Sequence, residues 1–277
     1  MTTVLAEGQL RKMVATHGES VAYALPVGTA SVDMVPLLGQ RLRLEYAGQI
    51  NCIECGRATK KSFSQGYCYP CFQTLAACDS CIMSPEKCHY DAGTCREPAW
   101  GESNCMIDHV VYLANTSTLK VGITRHSQVP TRWMDQGAVQ ALPVFRVQTR
   151  YQSGLVETVF KEYVSDRTAW QAMLKGQVEE LDMPAQRERL YAATEGAIDQ
   201  LQQRFGLQAI SRIPSQPEYR FNYPVLEYPT RVKSHNLDKQ PVVEGTLQGI
   251  KGQYLMFDTG VINMRKYGGY HLALSVA

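Results

Sequence analysis

The chain has 277 residues, 44% of them hydrophobic, enough to fill one large or two to three small cores, which excludes a wholly disordered protein. Its 28 Lys and Arg stand against 26 Asp and Glu, a formal net charge of +2, so a histone-like polybasic binder is excluded and any polyanion must be met by a local patch. No apolar run approaches the ~20 residues of a membrane span, and Met1 to Leu10 lacks a secretory pattern, so the expectation is a soluble cytoplasmic protein without a membrane partner.

The first segment, 1–51, opens with a weak helical pattern over Leu5 to Thr16. Strand-like runs follow around Val21 to Leu25 and Leu42 to Tyr46, punctuated by Gly18, Pro26, Gly28, Pro36, Gly39 and Gly48. The next segment, 52–106, holds all nine cysteines, has many turn residues and shows little periodicity. An odd number of thiols in a reducing compartment points to metal or reactivity and away from a disulfide framework. Cys52-x2-Cys55 and Cys68-x2-Cys71 form two knuckles twelve residues apart, the spacing of a tetrahedral four-thiolate zinc site, with Gly56 supplying the tight turn.

A second group contains more ligands than one ion requires. Cys78, Cys81, Cys88 and Cys95 make the simplest four-thiolate set, and His89, Cys105 or His109 are substitutes. At least one of the nine cysteines is then spare and behaves as a small buried hydrophobe. Four thiolates also hold iron–sulfur clusters, but the uneven spacing after Cys71 favours two separate Zn2+ ions, and a thiol redox enzyme lacks the expected strand-to-helix context. Filled four-thiolate sites leave no open position, so these zincs are structural and chemistry belongs elsewhere.

From His109 the pattern changes. HVVYLA and LKVGIT read as two strands of a hairpin around an NTST turn, followed by a short helix near Thr131 to Gln136 and a strand over Val144 to Thr149. Leu155 to Ser165 places its apolar residues on one helical face with Glu157 at the edge, and Ala185 to Phe205 reads as a longer surface helix ending before Gly206. After Ser211, Pro214, Pro217, Pro224 and Pro229 mark an extended connection. Four short strands then end the chain between Val242 and Ser275, and these are expected to pair with segment 1–51.

Val110-Val111-Tyr112, Lys120-Val121-Gly122, Thr131-Arg132-Trp133 and the helical Glu157 together resemble the GIY-YIG nuclease superfamily, over about residues 107–205. The resemblance implies a central α/β core over 107–210 and an endonuclease that hydrolyses phosphodiester bonds. By that correspondence Tyr112 matches the tyrosine of the first tripeptide, Gly122 the glycine of the second, Arg132 the arginine and Glu157 the ligand of one Mg2+ or Mn2+. Lys120 stands where the second tripeptide usually has tyrosine. A lysine contacts phosphate well but is a poor base when protonated. Taken singly, Tyr112 is an ordinary strand aromatic, Arg132 a surface cation and Glu157 a solvated helix edge; their order and element placement argue for the joint reading.

The whole chain also resembles a bacterial family of unknown function with a cysteine-rich first half, which places Arg125, Gln136 and Gly137 on the surface of Arg132. Lys120, Arg125, Arg132 and Trp133 form the expected nucleic-acid contact, with Arg146, Arg150 and Tyr151 nearby, since cations and aromatic rings together suit phosphate contact and base stacking. The fold class expected is α+β: β-rich terminal segments 1–51 and 211–277, a zinc-ribbon-like region 52–106 and the GIY-YIG-like core. The function expected is a zinc-containing nucleic-acid-binding protein of endonuclease type. A non-catalytic reader of RNA or DNA, or a module for protein partners, is the competing expectation.

Overall fold

A computed structural model describes residues 3–213 and 216–276. In chain order its strands begin with β1 (Thr3–Gln9), β2 (Val14–Thr16), β3 (Ala22–Val27), β4 (Ala30–Asp33) and β5 (Arg41–Ile50). A middle group follows, β6 (His109–Asn115), β7 (Leu119–Arg125), β8 (Gln140–Val147), β9 (Ile210–Arg212) and β10 (Tyr219–Arg220). The last strands are β11 (Val242–Lys251), β12 (Tyr254–Phe257), β13 (Gly260–Asn263) and β14 (Tyr270–Val276). The helices are α1 (Tyr69–Thr74), α2 (Pro98–Asn104), α3 (Thr131–Asp135), α4 (Arg150–Lys161), α5 (Trp170–Leu174) and α6 (Met183–Phe205). The class is α+β with antiparallel sheets, and no helix among the described residues is long and apolar enough to cross a membrane.

The chain divides into two units, one of residues 1–73, 174–176 and 221–277, the other of residues 74–173 and 177–220. The first unit is built on a six-stranded sheet of order β1-β14-β5-β11-β12-β13, beside a three-stranded sheet β2-β3-β4. Alternation fixes its register: Leu42 and Leu44 on β5 and Leu272 and Leu274 on β14 are fully buried, with Arg41, Glu45 and partly exposed residues between them. Strand β14 lies between β1 and β5 and pairs antiparallel with both. The helical pattern expected over Leu5 to Thr16 is a correction: those residues form β1, the loop after it and β2. The ladder that β14 offers outweighs a weak local preference.

The second unit centres on β6, which pairs with β7 on one side and β8 on the other, with β9 and β10 extending β8. Val111, Leu113, Val121, Leu142 and Val144 from this sheet meet Val156 and Phe160 of α4 and Leu190 and Ile198 of α6 in one core. Helix α4 starts five residues earlier than the apolar pattern alone indicates. Thr149 accepts from the backbone of Gln152 at 3.2 Å and the Gln152 side chain accepts from the Thr149 backbone at 3.1 Å, a capping box that stops β8 and starts the helix. The expected helix end at Ser165 is corrected to Lys161. Helix α6 is less of a surface element than expected, since it buries Leu190, Tyr191, Thr194 and Ile198. Of the expected extended connection, Pro214 lies outside the described residues. The boundary between units falls between Gln73 and Thr74, so it divides the cysteine-rich region, Cys52 to Cys71 in the first unit and Cys78 to Cys105 in the second.

Candidate functional site

In the first unit, Cys52, Cys55, Cys68 and Cys71 bring one sulfur each within 4.8 Å of one another. Local backbone chemistry builds this cage. Gly56 has φ +72°, a left-handed turn that lets its N–H donate to the Cys52 carbonyl at 3.0 Å, and the Ile53 N–H donates to Gly66 at 2.9 Å, clamping the two knuckles together. Cys55 Sγ and Cys68 Sγ are 3.7 Å apart, and a tetrahedron with Zn–S bonds of about 2.3 Å has edges of about 3.8 Å. Burial pushes the Cys52 thiol up, but hydrogen bonds from the backbone of Cys55, Cys68 and Glu54 and from the Cys55 side chain outweigh it and bring the thiol down to about 6. The four residues fit a structural metal such as zinc.

The second cysteine group is arranged differently. Among the described residues, the one other set of ligand atoms within 4.8 Å is Asp79, Cys81 and His89. Of the set Cys78, Cys81, Cys88 and Cys95, no three sulfurs come together at that separation. The Asp79 carboxylate is already engaged, by Arg96 Nε at 2.8 Å, the Ser80 hydroxyl at 3.1 Å and His89 Nε2 at 3.4 Å. His109 is wholly buried with Nδ1 2.7 Å from the Ile107 carbonyl; burial brings its pKa down to about 4.

The hairpin of the second unit brings the other candidates together. Tyr112 on β6 lies opposite Gly122 on β7, and a Cβ at Gly122 would stand 2.7 Å from the Tyr112 hydroxyl, so glycine there is what lets the phenol lie across the neighbouring strand. Gln136, just beyond α3, joins Tyr112 to Arg132. With its amide turned to satisfy both neighbours it donates to the Tyr112 hydroxyl at 2.9 Å and accepts from Arg132 Nε and Nη2 at 3.2 Å. Trp133 is fully buried, edge-on to Tyr112 at 5.5 Å and to Tyr219 at 4.8 Å. The buried indole offers no open face for the base stacking expected of it from the sequence.

Lys120 and Glu157 are also more buried than their sequence suggests, at 4% and 8% exposure. Burial and the Arg132 charge bring the Lys120 ammonium down to about 8, against the opposing pull of Glu157 and Asp166. Lys120 Nζ lies 3.4 Å from the Thr168 hydroxyl. Burial raises the Glu157 carboxyl, with Asp166 adding and Lys161 and Lys120 opposing. Burial raises the Tyr112 phenol as well, Glu157 adding to it while Arg132 and Gln136 oppose. Lys161 reaches both Glu157 at 3.4 Å and Asp166 at 3.1 Å.

Four elements, β6, β7, α3 and α4, thus deliver Tyr112, Lys120, Arg132 and Glu157 to one charged cluster whose open edge is made by Lys161 and Asp166. Sequence reasoning missed Lys161, Asp166 and the bridging role of Gln136. The Glu157 to Lys161 spacing of one helical turn was the available signal for the first. Arg125 stands apart from this cluster, bonded to the Asn104 side chain and acting on Cys105.

A family described as "Protein of unknown function (DUF2797)" matches residues 39–272, most of the chain. The chain belongs to the DUF2797 family. No curated protein and no solved structure matches it. Membership therefore assigns this DUF2797 chain no substrate, and the match spans both the four-cysteine cage of the first unit and the charged cluster of the second.

Proposed function

We propose that the second unit binds nucleic acid and cleaves its phosphodiester bonds, with a divalent ion at Glu157, in the manner of the GIY-YIG nucleases its hairpin resembles. The observation that carries this reading is the convergence of Tyr112, Lys120, Arg132 and Glu157 on one cluster from four separate elements. The donor set suits Mg2+ or Mn2+, which bind through one or two carboxylates and keep waters and phosphate oxygens as their other ligands. When bound, such an ion polarises the phosphate and makes a metal-held water more acidic.

The chain's own residues supply the rest. Arg132, held by Gln136, offsets charge that develops on the scissile phosphate. Lys120 answers the difficulty its sequence raises: at about 8, part of the side chain is free amine near neutral pH and able to take a proton from the attacking water. Tyr112 keeps its proton and orients Gln136, and so Arg132, through the bond at 2.9 Å.

One observation favours a second reading, a non-catalytic reader. Lys161 already stands 3.4 Å from Glu157, an internal cation where the divalent ion would sit. Labelled single-stranded, double-stranded and branched DNA and RNA, incubated with and without Mg2+ or Mn2+ beside Glu157→Gln, decide between them. Metal-dependent cutting that falls at least about 100-fold in the variant supports the nuclease. Binding that persists in EDTA without product supports the reader, and no binding at low salt removes both.

A further inference from the structure

Four cysteines of the second unit, Cys81, Cys88, Cys95 and Cys105, lie on the segments around α2 and the first turn of α4. Three contacts locate them. The Arg150 backbone N–H donates to the Cys105 carbonyl at 2.8 Å while its guanidinium Nη2 donates to the carbonyl of Ile82, the neighbour of Cys81, at 2.6 Å. Gly154, one turn further along α4, abuts the turn that leads into Cys88: a Cβ on it would stand 2.6 Å from the Glu86 nitrogen and from Pro85 Cβ. On α2, the Cys95 sulfur lies 3.4 Å from where a Gly101 Cβ would be, and the Cys105 N–H donates to the Gly101 carbonyl at 2.7 Å. The four thiols also act on one another electrostatically: Cys88, Cys105 and Cys95 each raise Cys81, and Cys88 and Cys95 raise Cys105.

This group is wider than a mononuclear site. The first unit's cage shows the separation one tetrahedral ion needs, 3.7 Å between Cys55 and Cys68, whereas no three of these four sulfurs come within 4.8 Å of one another. We infer that Cys81, Cys88, Cys95 and Cys105 ligate a [4Fe–4S] cluster. A cubane places its four irons at the corners of an inner tetrahedron, so its thiolates stand roughly 6–7 Å apart, beyond the 4.8 Å within which no three of these sulfurs fall. Four thiolates and a [4Fe–4S]2+ core carry a net negative charge, and at the Cys105 end two cations offset it, since Arg150 and Arg125 both favour the Cys105 thiolate, while Asp79 opposes at Cys81. Arg150 Nε is buried and has no hydrogen-bond partner among the described residues, a donor of the kind that cluster sulfurs accept. Cys78 is outside this set. The inference is independent of the nuclease reading, since it concerns metal content alone.

The test is elemental and sulfide analysis of the full chain purified without oxygen from iron-replete cells, and again after reconstitution with ferrous iron and sulfide. Expected are about one zinc with about four irons and four acid-labile sulfides per chain, and a broad sulfide-to-iron absorption band in the visible. Cys88→Ser and Cys95→Ser lose iron and sulfide and keep zinc, Cys55→Ser loses zinc and keeps iron, and Cys78→Ser keeps both. About two zincs and no labile sulfide after reconstitution overturn the cluster in favour of a mononuclear site. Iron retained by Cys88→Ser and Cys95→Ser overturns the ligand set.

Discussion

Replacing Lys120 by methionine removes a buried ammonium and keeps a long, unbranched side chain in its place. The displacement from the ordinary 10.5 to about 8 corresponds to about 3 kcal/mol at 1.36 kcal/mol per pH unit, the penalty the folded protein bears for holding this charge out of water. Lys120 is 4% exposed, so solvent screens little of it. Between pH 8 and 10.5 the unfolded chain binds the proton more tightly than the folded one, so stability rises with pH across that window; below it the penalty is fully present. Lys120→Met is therefore expected to melt roughly 6–12 °C above the parent protein at pH 7. The advantage shrinks as pH climbs from 8 to 10.5, followed by thermal unfolding in a series of buffers. If Lys120 is the base, the same variant loses cleavage, and the parent's rate rises with pH through about 8. A variant less stable than the parent at pH 7, or a difference that ignores pH, refutes the argument that the ammonium is held at a penalty.

Two further expectations follow from packing and metal binding. Cys55→Ser opens the four-thiolate cage, so it loses its zinc to a mild chelator, and limited proteolysis then cuts between Cys52 and Cys71 while the second unit stays protected. Gly154→Ala, a change that stabilises an exposed helix by about 1 kcal/mol, here drives a methyl into the Pro85–Glu86 backbone and destabilises by roughly 1–3 kcal/mol, read from denaturant melts.

What the sequence made legible was largely chemical. The x2 spacing of Cys52, Cys55, Cys68 and Cys71 is a local property, and the structure closes them into a cage; Tyr112, Arg132 and Glu157 were recognisable by order and now share a cluster with Lys120. Burial was not legible. Taken singly, Glu157 reads as a solvated edge, because helical periodicity says which face is apolar but not that β7 and the segment after α4 cover the polar one, with Val121 bonded to Ser165 at 2.8 Å. Trp133 read as a stacking platform because an aromatic next to an arginine looks the same whether it faces solvent or Tyr219. The partition of Cys78 to Cys105 was hidden for a third reason. Spacings of six and nine residues leave the chain free to route its thiols many ways, and the route taken by residues 82–86 comes from packing against Arg150 and Gly154.

The placement of β14 between β1 and β5 has a consequence for synthesis. As the chain leaves the ribosome, the apolar residues of β5 emerge early and find no neighbour on one side until the last strand is made. The second unit, drawn almost wholly from residues 74–220, is complete before then and is expected to fold first, as an insertion within a domain still waiting to close. A premature stop shortly before residue 270 would release a chain with a finished second unit and an open, aggregation-prone sheet edge in the first.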